Sequence, residues 1–404
     1  MTASPQPRPE RVETRPLLLL ETVPRAAHRV WRIVRETIVL ATLFVFSLEM
    51  ACRVEDWVQF RTPIVARERS QQDLLIRDSL GMHGRPEGRF QKWILNSLGM
   101  RGPEVGTAKP ADVIRVVTTG ASETFGLYES PGKEYPRQLE DTLAARFAGF
   151  GANCSPLHAQ VLNAAMPGMS LPTVEQDIRL RVAPLKPDFV VIYATPPQYL
   201  YDSPPTAAPP DRSSQTASLP ARYALVPRFA DRLRNQFKQI LPGWIQDKLR
   251  RREIKRMLAM HPAGWRFDRP PVDRLAAFQA DLSRSVATIR SIGATPVLMT
   301  HANRFVGADV ADEKSLHLWE KFYPRAAGRT IVQFDSLARL ATIAVAQQSD
   351  AVVVDLAPAL SATHGAAFAD YAHFNDVGAA MTAGALGRAI AASTSVERRH
   401  CASN

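Results

Sequence analysis

Val113-Ile-Arg-Val-Val117 runs into Gly120-Ala-Ser122-Glu-Thr-Phe-Gly126 with only Thr118 and Thr119 between them, and the architecture follows from that junction. The first stretch is apolar enough for a buried strand. Beyond the second, Tyr135-Pro-Arg-Gln-Leu-Glu-Asp-Thr-Leu143 has the spacing of a helix. A turn of small residues between strand and helix presents a serine hydroxyl at the carboxyl edge of a parallel sheet, beside free backbone N–H groups. A nucleophile belongs there. Gly-x-Ser also occurs in many surface turns, so a second observation is needed. Near the far end of the chain, Asp370-Tyr-Ala-His373 supplies an acid and an imidazole three residues apart, just before a last helix.

The rest of the chain alternates in the same way. Gln160–Asn163 reads as a second strand, followed by a helix over Leu171–Val182 and a third strand over Asp188–Ala194. Leu275, Phe278, Leu282, Val286 and Ile289 recur at helical spacing before a strand at Thr295–Thr300. Ile331–Ala346 is again helical and leads into the strand Ala351–Asp355, and the final helix begins near Asp376. Near-continuous apolar strands separated by helices predict an α/β fold, a parallel sheet sandwiched between two helical layers.

Serine needs a base to take its proton as it attacks. His373 is the natural base, and Asp370 one turn away can fix its tautomer and stabilise the imidazolium that forms. Taken singly, Ser122 as a helix cap, Asp370 as a turn residue and His373 as a surface residue would each be ordinary. All three in this order around one parallel sheet are less so. His301, just past the fourth strand, lies at the same edge, where it either caps the strand end or touches substrate.

These segments, with Asn163-Ala-Ala-Met-Pro-Gly168 between them, resemble the SGNH/GDSL hydrolase family over roughly residues 91–390. The chain looks like the membrane-anchored bacterial esterase- and acyltransferase-like members that carry Asn-x-x-Gly-x-Arg-Gly ahead of the first strand, here Asn96-Ser-Leu-Gly-Met-Arg101-Gly102. The resemblance implies a three-layer α/β/α sandwich, a structural role for that block, and attack by Ser122 on an ester carbonyl with His373 and Asp370 behind it. It also implies an oxyanion site built from the backbone N–H groups of Ser122 and Gly168. Two positions depart from the pattern. Ala121 replaces the supporting Asp of Gly-Asp-Ser. Where an Asn donor usually ends the third strand, this chain has Ala194-Thr-Pro-Pro-Gln198, and proline has no N–H. Thr195, Gln198 or Asn163 would have to substitute, or the site works with two donors.

At 404 residues and 46% apolar composition the chain can bury one large core or two modest ones. Its net charge of +11 suggests an anionic partner. The sequence shows no zinc-type Cys/His spacing, Walker loop or RNA-binding aromatic signature, which argues against nucleic acid, a metal or a nucleotide cofactor. Cys52, Cys154 and Cys401 make no disulfide framework, although Cys154 and Cys401 could pair in an oxidising compartment.

Residues 1–30 are rich in Pro and Arg and read as a disordered cytoplasmic tail. Thr37–Cys52 is apolar apart from Glu49; its sixteen residues would span about 24 Å as a helix, short of the roughly 30 Å hydrocarbon core. Flanking arginines, with Trp31 and Trp57 at the interfaces, make up the difference, giving a signal anchor over 31–58. A buried core helix or a cleaved signal peptide is the alternative, but no small-x-small site follows the run. Arg25, Arg29, Arg32 and Arg35 put the amino terminus in the cytoplasm, so the rest lies in the periplasm at a bacterial inner membrane. Residues 59–110 then form a connecting segment and 111–404 the catalytic domain.

That domain is interrupted over 198–271. Ser203-Pro-Pro-Thr-Ala-Ala-Pro-Pro-Asp211 is a loop. After it, Phe229, Leu233, Phe237, Ile240, Leu241, Trp244 and Ile245 share one helical face. Residues 228–256 hold ten basic residues against Asp231, Asp247 and Glu253, most of the chain's net charge. Such a helix either covers the catalytic domain as a lid or lies against anionic lipid headgroups. These readings together describe a membrane-anchored serine esterase or O-acyltransferase acting on O-acyl groups, acetyl above all, of an envelope or secreted polysaccharide. The alternative is a catalytically weak or inactive glycan-binding or assembly factor on the same scaffold.

Overall fold

The computed structural model describes residues 25–65, 71–148, 157–207, 240–305 and 313–393, with Phe229, Arg232, Leu233, Gln236 and Val396. Most of the expected tail, Phe237, Cys154 and Cys401 lie outside these residues; Cys52 is a free thiol. Helix α1 spans Arg25–Phe60 and is long and apolar enough to cross a membrane, with mean hydropathy 1.8 and none of its apolar window covered by the chain. It outruns the Thr37–Cys52 stretch because helical pairing continues through the polar flanks, where Arg32–Glu36 and Glu49–Arg53 form pairs four residues apart.

The connecting segment, irregular to sequence reading, contains two small hairpins. β1 (Leu75–Asp78) pairs with β2 (Gly81–Gly84), and β3 (Arg89–Phe90) with β4 (Trp93–Ile94). Strands of two to four residues carry too little alternation to announce themselves. Their packing depends on Gly84 and Gly99, where a Cβ on either would sit 2.0 Å from the other's carbonyl oxygen.

Five strands make the main sheet: β5 (Val113–Gly120), β6 (His158–Asn163), β7 (Phe189–Tyr193), β8 (Thr295–Met299) and β9 (Val352–Val354). All pair in parallel, in the order β6-β5-β7-β8-β9. The helices between them are α2 (Ser122–Phe125), α3 (Tyr135–Phe147), α4 (Leu171–Asp177), α5 (Gly243–Leu258), α6 (Val272–Ser291), α7 (Glu313–Phe322), α8 (Gly328–Gln348), α9 (Leu356–Ser361) and α10 (Asp376–Ala391). This is the three-layer α/β/α sandwich with a parallel sheet. Alternate residues of β7 face opposite cores: Val190 and Ile192 meet Val174, Phe278, Leu282 and Phe334 from α4, α6 and α8. Phe189, Val191 and Tyr193 meet Leu139, Leu143, Leu386 and Ile390 from α3 and α10. Burial on both faces explains the absence of polar alternation in the strands. The helix expected over Leu171–Val182 changes pitch at Ile178, widening over Ile178–Val182 before a tight turn at Ala183–Leu185.

The insertion differs more. Tyr199 and Leu200 are core residues, and the Tyr199 hydroxyl donates to Asp281 on α6 at 2.5 Å, so the excursion from the sheet starts after them. The single apolar face drawn from Phe229 to Ile245 is interrupted, because α5 starts only at Gly243, after Pro242. Leu233, Ile240 and Trp244 are exposed rather than packed on the domain. α5 rests on α7 through buried Ile254, an Asp247–His317 contact of 2.9 Å and a Glu253–Lys321 pair of 2.8 Å.

Arg101 locks the Asn96–Gly102 block to the sheet. Its backbone N–H donates to Asn163 O at 2.9 Å, and its buried guanidinium lies 3.0 Å from the Glu134 carboxylate while donating to Phe125 O and, at 2.6 Å, to Gly126 O. Removing one partner of a buried pair costs about 3–5 kcal/mol. Arg101→Ala should therefore lower the melting temperature by on the order of 10 °C; an unchanged thermal transition would show that the block is ornamental.

Candidate active site

β5 ends at Gly120, where φ is +152° and a Cβ would lie 2.5 Å from Tyr193 O and 2.6 Å from Thr124 Oγ1. Only glycine lets the chain turn this tightly between neighbouring strands. Ser122 follows as the first residue of α2, a single turn whose opening N–H groups have no helical acceptor. Asn163 braces the corner: its side-chain N–H donates to Thr124 O at 2.9 Å and its Oδ1 accepts from Ala165 N–H at 3.2 Å.

The histidine arrives from a clamp ahead of α10. Ala369 N–H donates to His373 O at 2.8 Å, and Asn375 N–H to Ala367 O at 3.1 Å. The Asn375 side chain caps α10, accepting from Val377 and Gly378 N–H groups at 3.0 and 3.1 Å. Asp370 is held by its own turn, its Oδ1 accepting from the N–H groups of Ala372 and His373 at 3.0 and 2.9 Å. Across the site, Ser130 N–H donates to Asp376 Oδ1 at 2.7 Å, joining the serine loop to the start of α10.

These elements bring three predicted residues together. Ser122 Oγ is 2.9 Å from His373 Nε2, and His373 Nδ1 is 2.8 Å from Asp370 Oδ2. A hydroxyl, a base and an orienting carboxylate in line can generate a nucleophilic oxygen and return its proton to a leaving group. Burial pushes the His373 imidazole toward neutrality, but the Asp370 hydrogen bond and the negative charges of Glu123, Asp370 and Glu129 outweigh it and raise its pKa above the ordinary histidine value. Burial lifts the nearby Glu129 carboxyl to about 7, outweighing its backbone hydrogen bonds and the Arg101 charge that pull it down.

The other predicted positions divide. Gly168 sits on an exposed loop at φ +84°, with nothing near where a Cβ would be. Its N–H and that of Ser122 are the oxyanion donors that the family resemblance implied. Asn163, committed to Thr124 and Ala165, is a brace rather than a donor. Thr195 donates its only hydroxyl hydrogen to Glu123 Oε2 at 3.1 Å, so it cannot also donate to an oxyanion. Gln198 donates to Met169 O at 3.1 Å and steadies the Gly168 loop from a buried position instead of meeting substrate. His301 is enclosed by protein and out of a substrate's reach.

Two residues escaped sequence reading. Glu123, directly after the serine, is buried with its Oε2 3.2 Å from Ser122 Oγ. Asp335 sits on the buried stripe of α8 among Ile331, Phe334 and Ala338. A charged residue on an otherwise apolar helical stripe, and one beside a candidate nucleophile, were the signals available. Tyr128, more than half exposed, sets its ring against His373 with centroids 5.3 Å apart.

No family model matches the sequence, and no curated protein matches it. Among solved structures the chain is similar to an acetylxylan esterase from Geobacillus stearothermophilus, at 17% identity and TM-score 0.37 over 68% of this chain and 93% of that one. It is also similar to an α/β hydrolase enzyme from the metagenome of Lake Arreo, Spain, at 16% identity and TM-score 0.38 over 68% and 94%. A lipase/acylhydrolase from Enterococcus faecalis matches at 18% identity and TM-score 0.36 over 69% and 95%. Likeness at this level says nothing of activity, and the chemistry rests on this chain's own atoms.

A protonated His373 cannot accept the serine proton, so reactivity must fall as pH drops through its raised pKa. Labelling of Ser122 by a fluorophosphonate should therefore fade on the acid side at a higher pH than an ordinary histidine would give. Asp370→Asn should slow labelling by on the order of 10⁴-fold. A pH-independent rate, or an unaffected Asp370→Asn, would remove His373 as the base.

Proposed function

We propose that the protein is a membrane-anchored, extracytoplasmic serine esterase or O-acyltransferase of SGNH type. Its substrates in this reading are O-acyl groups, principally acetyl, on an envelope or secreted polysaccharide. The observation that carries it is the continuous contact from Ser122 Oγ through the His373 ring to Asp370. Ser122 Oγ bonds to the ester carbonyl carbon as its proton passes to His373 Nε2, and the carbonyl electron pair moves onto oxygen, facing the N–H groups of Ser122 and Gly168. Collapse expels the sugar oxygen, which takes the proton from His373, and leaves an acyl-serine. Water or another sugar hydroxyl, deprotonated by His373, then releases the acyl group. Tyr128 offers an exposed aromatic face beside the imidazole for the sugar ring.

The second reading, a glycan-binding or assembly factor without turnover, draws on the donor set. Prolines occupy 196 and 197, and Asn163 and Thr195 are engaged elsewhere. Losing one good oxyanion donor typically costs about 2.7–4 kcal/mol of barrier, so turnover on two donors would be slow without being absent.

The anchor reading places α1 in the inner membrane with the amino terminus in the cytoplasm and the sandwich outside. The insertion touches the domain end of α1: Phe229 N–H donates to Glu49 at 3.3 Å, and Arg232 pairs with Glu55 and Asp56. Farther along the insertion, α5 exposes Trp244 and Leu249 with Lys248, Arg252 and Arg256, a composition suited to anionic lipid headgroups.

The wild-type protein should hydrolyse p-nitrophenyl acetate and take up a fluorophosphonate label at Ser122, with Ser122→Ala silent in both assays. Absence of both signals from a folded wild-type chain would leave the binding factor. A chain shortened to begin at residue 61 should bind vesicles containing anionic lipid, and Lys248→Gln, Arg252→Gln and Arg256→Gln together should weaken that binding. Attraction is worth about 1 kcal/mol per basic residue near such a surface. Equal binding by both chains would take α5 off the membrane.

A further inference from the structure

Behind the serine lies a second set of buried charges that the proposed reaction does not use. Glu123 Oε2 is 3.2 Å from Ser122 Oγ and 3.1 Å from Thr195 Oγ1. Its other oxygen faces His301 Nε2 at 3.6 Å, and His301 Nδ1 is 2.8 Å from Asp335 Oδ1. Each ring nitrogen of His301 therefore faces a buried carboxylate oxygen. Asp335 is steadied by Asn303, whose side-chain N–H donates to Oδ2 at 2.6 Å. The His301 ring stacks on Tyr193, centroids 5.5 Å apart.

We propose that Glu123, fixed by His301 and Asp335, is a second acceptor for the Ser122 hydroxyl and sets the pH above which Ser122 becomes reactive. The inference rests on Ser122 as nucleophile and His373 as base. The hydroxyl has one hydrogen and two acceptors within reach. When His373 is neutral, that hydrogen can point to Nε2, the productive arrangement. When His373 is protonated, Nε2–H donates to Oγ while the hydroxyl hydrogen turns to Glu123. Every group is then satisfied and the serine is idle. A fixed negative charge at Glu123 favours the second state, making Glu123 a positioning residue that acts on the base through the serine and through space.

The surroundings keep Glu123 charged. Burial alone would raise its pKa, but His301 and the charge on His373 hold it at about 2. Burial would likewise lower His301, but the carboxylates of Asp335 and Glu123 hold it up at about 10. Across the pH range between those limits the acceptor does not switch off. Besides Glu123, the groups acting on His373 are Asp370 and Glu129, with the rings of Tyr128 and Tyr371 packed against it. Facing Glu123 are His301 and His373, with the phenols of Tyr135, Tyr193, Tyr201, Tyr323 and Tyr371 feeling its charge.

Two substitutions in the full-length protein should move the acid limb in opposite directions. Glu123→Gln removes the negative charge and leaves His301 and Asp335 as a neutral pair, so labelling by the fluorophosphonate should persist to lower pH, with roughly a tenfold gain in rate on the acid side. His301→Gln leaves two buried carboxylates without their cation and should push the limb to higher pH. A merely structural role would lower thermal stability in both variants without opposed displacements. Independently of reactivity, the His373 imidazole can be followed by NMR in selectively ¹³C-histidine-labelled protein, with His373→Asn to assign the signal. Its titration should move to lower pH in Glu123→Gln. If wild-type protein does not label at all, the nucleophile reading fails, while the NMR titration still tests the electrostatic link. An unmoved His373 titration in Glu123→Gln would overturn the proposal.

Discussion

Glu123 is a carboxylate shut away from water beside the Ser122 hydroxyl, and an unpaired charge there would cost several kcal/mol. Much of the surrounding architecture answers that constraint. The end of β8 delivers His301, α8 delivers Asp335 from its buried stripe, and the β7 end contributes Thr195. The carboxylate thus ties the serine corner to β7, β8 and α8, adding a polar link to elements that also share one apolar core. The two predicted partners, His373 and Asp370, approach from the other side on α10's clamp and complete a serine flanked by an imidazole and an acid.

How much of this was legible in the sequence depends on the range of the interaction. Val113–Val117 announced β5 and Phe189–Tyr193 announced β7, because strands buried on both faces are unbroken apolar runs. Phe278, Leu282, Val286 and Ile289 announced α6 because one face of a helix repeats locally. Ser122, Asp370 and His373 could be picked out by order and spacing. Roles that depend on partners far along the chain were hidden. His301 read as a cap or substrate contact since neither Glu123 nor Asp335 adjoins it in sequence. Asn163 and Thr195 looked like free donors until their acceptors, Thr124 O and Glu123, came into view. The hairpins before β5 were too short to leave a pattern, and Pro242 divided a helical face that the periodicity alone had drawn through it.

The donor set bears on what chemistry is economical here. With proline at 196 and 197, the third strand ends in a buried tight turn whose Gln198 side chain supports Met169, next to Gly168. The region that would have held a side-chain donor instead braces the neighbouring loop through Gln198 and Met169.

The joint between Ser130 and Asp376 links residues 246 positions apart, and Ser122 meets His373 across 251. During synthesis the Ser122 corner is made well before the His373 imidazole that meets it. Closing so long a span is entropically slow compared with forming the helices and neighbouring strands between its ends. A polypeptide that stops before residue 370 therefore carries the Ser122 hydroxyl without the imidazole and carboxylate that flank it in the folded protein.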